Sequence, residues 1–305
     1  MQRSDWHGVM PAITTPLNED FTINHAALAD HVRRMADAGC TAIVTPGSLG
    51  EAATLTLQER QQLWTTCVEA LEGRIPVVAA ISSLSTAHAV EYARQAEANG
   101  CRGLMVLPPY AYVGTWAETR AHFEAIFSAT PLSCMLYNNP IAYGTDVRPE
   151  QLTELSEQSA NLDAVKESSG DIRRIRAIRE ILGDRLALFV GIDDLVVEGV
   201  DAGATGWIAG LVNALPEESV RLFELAVSGD RTELESLYQW FLPLLRLDAV
   251  PEFVHLVKLV QQEFGMGSER VRQPRLPLEG PVREHALKVI AEAKRSMPTI
   301  ASNPG

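Results

Sequence analysis

Cysteine is scarce in this chain. Cys40, Cys67, Cys101 and Cys134 are the only four among 305 residues, and they lie 27, 34 and 33 positions apart. No CxxC occurs, which argues against a zinc ribbon or a thioredoxin-type redox pair. Each cysteine sits among apolar neighbours, so free buried thiols are expected. Positive charge is also short: 26 Lys plus Arg against 39 Asp plus Glu give a net charge of −13 and a pI near 5.0. Nucleic acid and anionic membranes recruit basic patches, so neither is an expected partner. A small anionic substrate stays open, because one cavity can be locally positive in an acidic protein. No run approaches 18 apolar residues, so no segment reads as a membrane span. The seven histidines form neither HExxH nor HxH, so no catalytic metal is expected, and nothing calls for a cofactor. No GxGxxG follows the first apolar run, which weakens a dinucleotide-binding reading. The N-terminus lacks a basic stretch followed by an apolar one, so no signal peptide is read and a reducing cytoplasm is the expected location.

What remains is an ordinary globular composition, 46% hydrophobic and 21% charged, with ample material for a large core. Short β-like runs alternate with amphipathic helical stretches. Strands are predicted over 9–14, 42–45, 76–80, 103–107, 132–137, 162–166, 186–190 and 206–209. Helices are predicted between them, several ending at Gly39, Gly100 or Gly203. Thr56 with Glu59 reads as a capping box, and Ser85 repeats the cap logic. Alternation means parallel pairing with right-handed crossovers. Eight such units within about 210 residues favour an α/β fold of the closed (β/α)8 TIM-barrel type over an open sheet. We therefore expect a barrel over 1–216. A C-terminal helical extension over 217–305 is expected to pack on it, through helices at 217–228, 231–246, 251–264 and 282–296. The tail from 296 reads as loosely held.

Residues just beyond the strand ends converge on one face of a barrel. There lies Lys166, closing Leu162-Asp163-Ala164-Val165. An ammonium is costly inside a strand without a partner. At a strand end it either snorkels to water or, desolvated, becomes a neutral amine able to attack a carbonyl. Gly47-Ser48-Leu49-Gly50 reads as a plain βα turn or as a nest whose amides face an anion. Tyr137 ends its strand as a capping aromatic or as a phenol at the mouth. Asn138-Asn139-Pro140 is turn chemistry, with Asn139 a possible substrate contact. Asp193-Asp194 reads as a helix N-terminus rather than a metal site. Gly203, Gly206 and Gly210 suit the eighth βα turn and a close backbone approach to a ligand.

Four segments together resemble the dihydrodipicolinate synthase / N-acetylneuraminate lyase superfamily of Schiff-base-forming barrels. They are Gly47-Ser48-Leu49-Gly50-Glu51, Tyr137-Asn138-Asn139-Pro140, Val165-Lys166-Glu167-Ser168-Ser169 and Gly203-Ala204-Thr205-Gly206-Trp207-Ile208. The resemblance implies that Lys166 forms an imine with the 2-oxo carbon of a substrate and that Tyr137 relays protons. It further implies that Ser48 holds Tyr137 through its hydroxyl, that the Ser48 and Leu49 amides bind the substrate carboxylate with Gly47 in the same loop, and that Gly191 and Ile208 line the cavity. A homotetramer is implied as well.

Departures narrow the substrate. The synthase usually has Thr where Leu49 stands. It has paired tyrosines after strand four, one serving a neighbouring subunit's site, where this chain has Tyr110-Ala111-Tyr112. It places an arginine where Ile141-Ala142-Tyr143 stands, and without it an amino-semialdehyde loses its anchor. Gly-Ser-Leu-Gly-Glu, Leu-Pro-Pro-Tyr and Tyr-Asn-Asn-Pro together are similar to 1-pyrroline-4-hydroxy-2-carboxylate deaminases of hydroxyproline breakdown. The expected substrate is thus a small anionic 2-oxo or cyclic 2-imino acid, in the deaminase case yielding 2-oxoglutarate semialdehyde and ammonia. A pyruvate-releasing aldolase, a 2-keto-3-deoxy sugar-acid dehydratase and a catalytically silent 2-oxo acid sensor are the alternatives.

Overall fold

The computed structural model describes residues 1–229 and 231–298. Each predicted β-run forms a strand: β1 (Gly8–Pro11), β2 (Ile43–Thr45), β3 (Val77–Ile81), β4 (Gly103–Val106), β5 (Ser133–Asn138), β6 (Leu162–Glu167), β7 (Ala187–Val190) and β8 (Gly206–Ala209). All pair in parallel in chain order, and β8 pairs back onto β1. The β1–β2 seam is bridged by Ala12 and Val44, with the Ile13 amide donating to the Val44 carbonyl at 3.0 Å. The (β/α)8 barrel is therefore the observed architecture. The first strand is shorter than expected because the backbone past Ala12 leaves β8 for β2.

The helices are α1 (His25–Asp37), α2 (Leu57–Leu71), α3 (Thr86–Ala98), α4 (Trp116–Phe127), α5 (Pro140–Tyr143), α6 (Pro149–Gln158), α7 (Arg173–Leu182), α8 (Val196–Asp201), α9 (Pro216–Ser228), α10 (Arg231–Leu245), α11 (Phe253–Glu263) and α12 (Gly280–Arg295). The Thr56–Glu59 capping box forms as expected, and Thr115 with Glu118 makes another. Ser85 does not repeat it: its hydroxyl makes no cap bond, and its amide instead donates to Ser83 Oγ at 3.1 Å. The one-turn α5 was not anticipated. Asn139 caps it and Pro140 opens it, the residue types that favour a helix start.

Parallel strands covered by helices are buried on both faces. Outward side chains join the helices in one large core. Inward ones, among them Met10, Val44, Val78, Met105, Met135, Phe189 and Ile208, fill the barrel. Trp6 closes the amino-terminal end, its indole donating to Ser133 Oγ at 2.7 Å and its ring edge-on to Phe189. Phe189 needs Gly206 opposite, where a Cβ would stand 2.2 Å from the ring. The barrel is thus plugged below, which leaves the carboxyl ends of the strands for chemistry. The four cysteines are buried and free. Burial pushes the Cys40 and Cys67 thiols up to about 12, away from the reactive thiolate.

The helix after β8, α9, packs on α8 and β1 in the eighth crossover place. We therefore place the start of the C-terminal extension at α10 rather than at 217. Of the tail, residues 299–305 lie outside the described residues. Helix α10 packs over the turn Asp193–Leu195, and α11 over the turn Leu211–Asn213, both beyond the carboxyl ends of the strands. No helix among the described residues is long and apolar enough to cross a membrane.

One ion pair joins extension to mouth. Lys258 of α11 donates from Nζ to Glu51 Oε1 at 2.5 Å, to the Arg270 carbonyl at 2.7 Å and to the Thr15 carbonyl at 2.9 Å. Glu51 Oε2 accepts from the Arg272 amide at 2.8 Å. Both side chains are 2% exposed. Glu51 adopts φ 58°, a left-handed conformation that a non-glycine residue holds only under outside constraint. It follows Gly50 directly, so the pair fixes the loop that carries Ser48 and Leu49. Removing one partner leaves a buried uncompensated charge. Lys258→Ala should therefore lower unfolding free energy by about 3–5 kcal/mol in denaturant titration; a change under about 1 kcal/mol, the range of exposed pairs, would contradict this.

Candidate active site

Strand register builds the centre. Tyr137 of β5 stands beside Lys166 of β6, and Lys166 beside Phe189 of β7. All three point into the barrel, Tyr137 and Lys166 toward its open end and Phe189 toward the Trp6 plug. Lys166 is 6% exposed, and its Nζ lies 3.9 Å from the centroid of the Tyr137 ring. Burial pulls its pKa down, while Tyr143, Asp248 and Asp193 act the other way. It forms no ion pair among the described residues. The chain has only four lysines, Lys166, Lys258, Lys288 and Lys294. Two are buried; Lys258 is tied to Glu51, whereas Lys166 keeps a free amine.

Gly191, just past β7, explains how a lysine fits there. A Cβ at Gly191 would stand 2.4 Å from Lys166 Cε and 2.0 Å from Ser168 Oγ. The side chain passes through the space this glycine leaves. Ser168 is 1% exposed and its hydroxyl makes no hydrogen bond among the described residues.

The hydroxyl network departs from expectation. Ser48 hydrogen-bonds the phenol of Tyr143, not that of Tyr137. The α5 turn carries Tyr143 back over the mouth, where its ring meets Tyr137 edge-on at 5.9 Å between centroids. The Tyr137 phenol accepts from Asn139 Nδ2 at 3.1 Å. Asn139, expected as a substrate contact, is thus committed elsewhere: its carbonyl caps α5 by accepting from Ala142 N, and its amide holds Tyr137. Burial raises the pKa of both phenols, so both are neutral at pH 7. A neutral hydroxyl can donate and accept, as a relay requires.

Gly47, Ser48 and Leu49 turn tightly after β2. Glu51 and Ala52 amides bond back to Ser48 and Gly47, while the amides of Ser48 and Leu49 take no partner among the described residues. Leu49 is nearly fully buried. Unpaired amides side by side are able to hold a carboxylate. Ile208 lies in the barrel interior with the residues beneath Lys166.

Asp193 does not cap a helix, as its sequence position suggested. It opens a 3-10 turn, but its carboxylate crosses to β8. There it accepts from Trp207 Nε1 at 2.9 Å, Leu211 N at 2.8 Å and Gly210 N at 3.1 Å. It is completely buried, which raises its pKa to about 6 against those bonds and Lys166. Asp248, from the segment after α10, approaches the same centre. Two open clefts lie elsewhere, one lined by His25, Gln58 and Asn99, the other at the plugged end by His7, Thr41 and Arg102. Neither adjoins Lys166.

The geometry makes Gly191 a sensitive point. Gly191→Ala should displace the Lys166 side chain and abolish imine formation with pyruvate, while the circular dichroism spectrum stays native. Normal trapping in that variant would mean that Lys166 does not need this path.

The arrangement is a desolvated, unpaired amine beside two linked phenols and a pair of open amides, at the carboxyl ends of parallel strands. Residues 5–293 match the dihydrodipicolinate synthetase family. The 4-hydroxy-tetrahydrodipicolinate synthase of Methanopyrus kandleri is 31% identical over 268 residues, 88% of this chain and 89% of that one. That of Endomicrobium trichonymphae is 31% identical over 284 residues, 92% and 97% of the two chains. The solved 4-hydroxy-tetrahydrodipicolinate synthase of Methylacidiphilum fumariolicum superposes with a TM-score of 0.91 at 27% identity, covering 95% of this chain and 96% of that chain. A dihydrodipicolinate synthase of Acinetobacter baumannii in complex with pyruvate gives 0.89 at 27%, covering 94% and 99%. The chain belongs to the dihydrodipicolinate synthetase family of Schiff-base, class I aldolase-type enzymes.

Proposed function

We propose that this enzyme is a 1-pyrroline-4-hydroxy-2-carboxylate deaminase, converting that cyclic imine to 2-oxoglutarate semialdehyde and ammonia. The observation that carries the reading is the make-up of the mouth. Lys166, Tyr137 and the Ser48 and Leu49 amides support a 2-oxo or 2-imino acid, and the stretch where an arginine would hold a second substrate carries Ile141, Ala142 and Tyr143. Ile141 is 72% exposed at the rim. A small hydroxylated ring with one carboxylate suits this mouth; a second, carboxylate-bearing substrate finds no arginine here.

The free amine of Lys166 attacks the ring C=N carbon next to the carboxylate. The carboxylate rests on the Ser48 and Leu49 amides, which aligns that carbon with Nζ. The ring nitrogen leaves as a primary amine, and the substrate is held as an iminium on Lys166. Such an iminium withdraws electrons, so a proton departs from the neighbouring carbon at neutral pH. Tyr137 takes or returns that proton, and Tyr143 with Ser48 carries it onward. Water leaves from the hydroxylated carbon, and the new C=C shifts by proton transfer so that the amine-bearing carbon becomes an imine. Water then hydrolyses that imine to the aldehyde and ammonia and the Lys166 iminium to the 2-oxo acid.

A second reading is favoured by the relatives' names: condensation of pyruvate with an amino-semialdehyde. Retro-aldol cleavage or dehydration of a 2-keto-3-deoxy sugar acid would use the same lysine. One assay separates them. The purified enzyme should release ammonia and semialdehyde from 1-pyrroline-4-hydroxy-2-carboxylate. Lys166→Ala should release none, and Tyr137→Phe and Tyr143→Phe should each slow release by about 10²–10⁴-fold. Steady pyruvate production from a sugar acid, or pyruvate consumption with an amino-semialdehyde, with no ammonia from the imine, would overturn the proposal.

A further inference from the structure

The mechanism above leaves one step without a donor. When the hydroxyl departs, its oxygen needs a proton, and the phenols stand with Ser48 on the β2–β5 side of the amine. On the other side, at the end of β8, lies Asp248. Its amide is anchored to the Leu245 carbonyl at 3.0 Å. Its side chain reaches inward over Gly210, where a Cβ would stand 2.3 Å from Oδ1 and 2.8 Å from Cγ. Only a glycine lets this carboxyl in. The Gly210 amide is turned to Asp193, so two carboxyls flank one residue.

Their surroundings differ. Asp193 has its oxygens filled by three N–H donors. Asp248 makes no side-chain hydrogen bond among the described residues, although it lies within electrostatic reach of Lys166, Asp193, Asp194 and Tyr137. Asp248 is half-buried, and desolvation together with the carboxylates of Asp193 and Asp194 raises its pKa. Paired carboxyls driven apart in this way take different roles, one a fixed anion and one a neutral acid. Asp193 is held by three N–H donors, whereas Asp248 is the carboxyl without one.

We propose that Asp248 is the general acid of the elimination, protonating the hydroxyl that leaves the carbon two bonds from the iminium carbon. This deepens the deaminase reading and rests on it. Loss of a proton from the intervening carbon gives an enamine on Lys166. The enamine electrons move to form a C=C bond to the hydroxylated carbon and restore the iminium. The C–O bond breaks, its electron pair stays on oxygen, and the Asp248 proton completes a water molecule. The Asp248 carboxylate regains a proton from the water that later attacks the iminium carbon. No oxidant or reductant enters.

The test uses the full-length enzyme, Asp248→Asn and Asp248→Glu. Asparagine copies the shape and neutrality of the acid but has no proton of suitable acidity to transfer. Two readouts are taken: ammonia release from 1-pyrroline-4-hydroxy-2-carboxylate, and the mass of the enzyme reduced with borohydride during turnover. Asp248→Asn should release ammonia about 10²–10⁴-fold more slowly yet still capture pyruvate on Lys166. Its reduced adduct should retain the hydroxyl, one water heavier than the dehydrated form. Asp248→Glu should recover part of the rate. Wild-type speed in Asp248→Asn would overturn the proposal. So would loss of pyruvate capture together with turnover, which would make Asp248 a support for Lys166. Wild-type enzyme that captures pyruvate but releases no ammonia would instead refute the deaminase reading, and this proposal with it.

Discussion

The molecule depends on keeping one amine dry and unpaired. A buried ammonium ordinarily finds a carboxylate or a set of carbonyls, as Lys258 does with Glu51, Thr15 and Arg270. Lys166 has neither. Its neighbours are an aromatic face, a glycine gap and two carboxyl groups held beyond ion-pair distance. Desolvation then favours the neutral form, which is the nucleophile, while nearby negative charge still favours the iminium once it forms. Asp193 is suited to this: three N–H donors fix its carboxylate, so it contributes field without capturing the amine.

The parts that surround the amine come from distant stretches of chain. The unpaired Ser48 and Leu49 amides are on the β2 loop, which is fixed from behind by Lys258 of α11. The phenol pair is on β5 and the short α5 that follows it. Asp248 belongs to the extension. The helices beyond the barrel are therefore more than a cover, since they brace one side of the site and add a titratable group to the other. This explains why α10 and α11 pack against turns at the catalytic face.

Much of this was legible in sequence, and the limits were physical. Strand periodicity and glycine stops located the barrel because parallel strands buried on both faces leave short apolar runs. Lys166 and Tyr137 could be found because a polar residue closing such a run must point to the mouth. Tyr143 carries no such mark in the sequence, because a one-turn helix leaves no periodic signal. That gap assigned Ser48 the wrong partner and left Asn139 free for substrate. Gly191 was named as lining the cavity, but its reason, passage of the Lys166 side chain, depends on contact across strands. Asp248 had no signal at all: it is one acid in an acidic chain, brought in by the packing of α10. The relatives' names and the residues at 141–143 point to different substrates at about 30% identity, so the substrate rests on side chains rather than on family.

The most direct test is chemical. The enzyme is incubated with pyruvate, reduced with borohydride, and digested for mass mapping. The account predicts one reduced adduct, located on Lys166. Absence of any adduct, or an adduct confined to Lys258, Lys288 or Lys294, would contradict it.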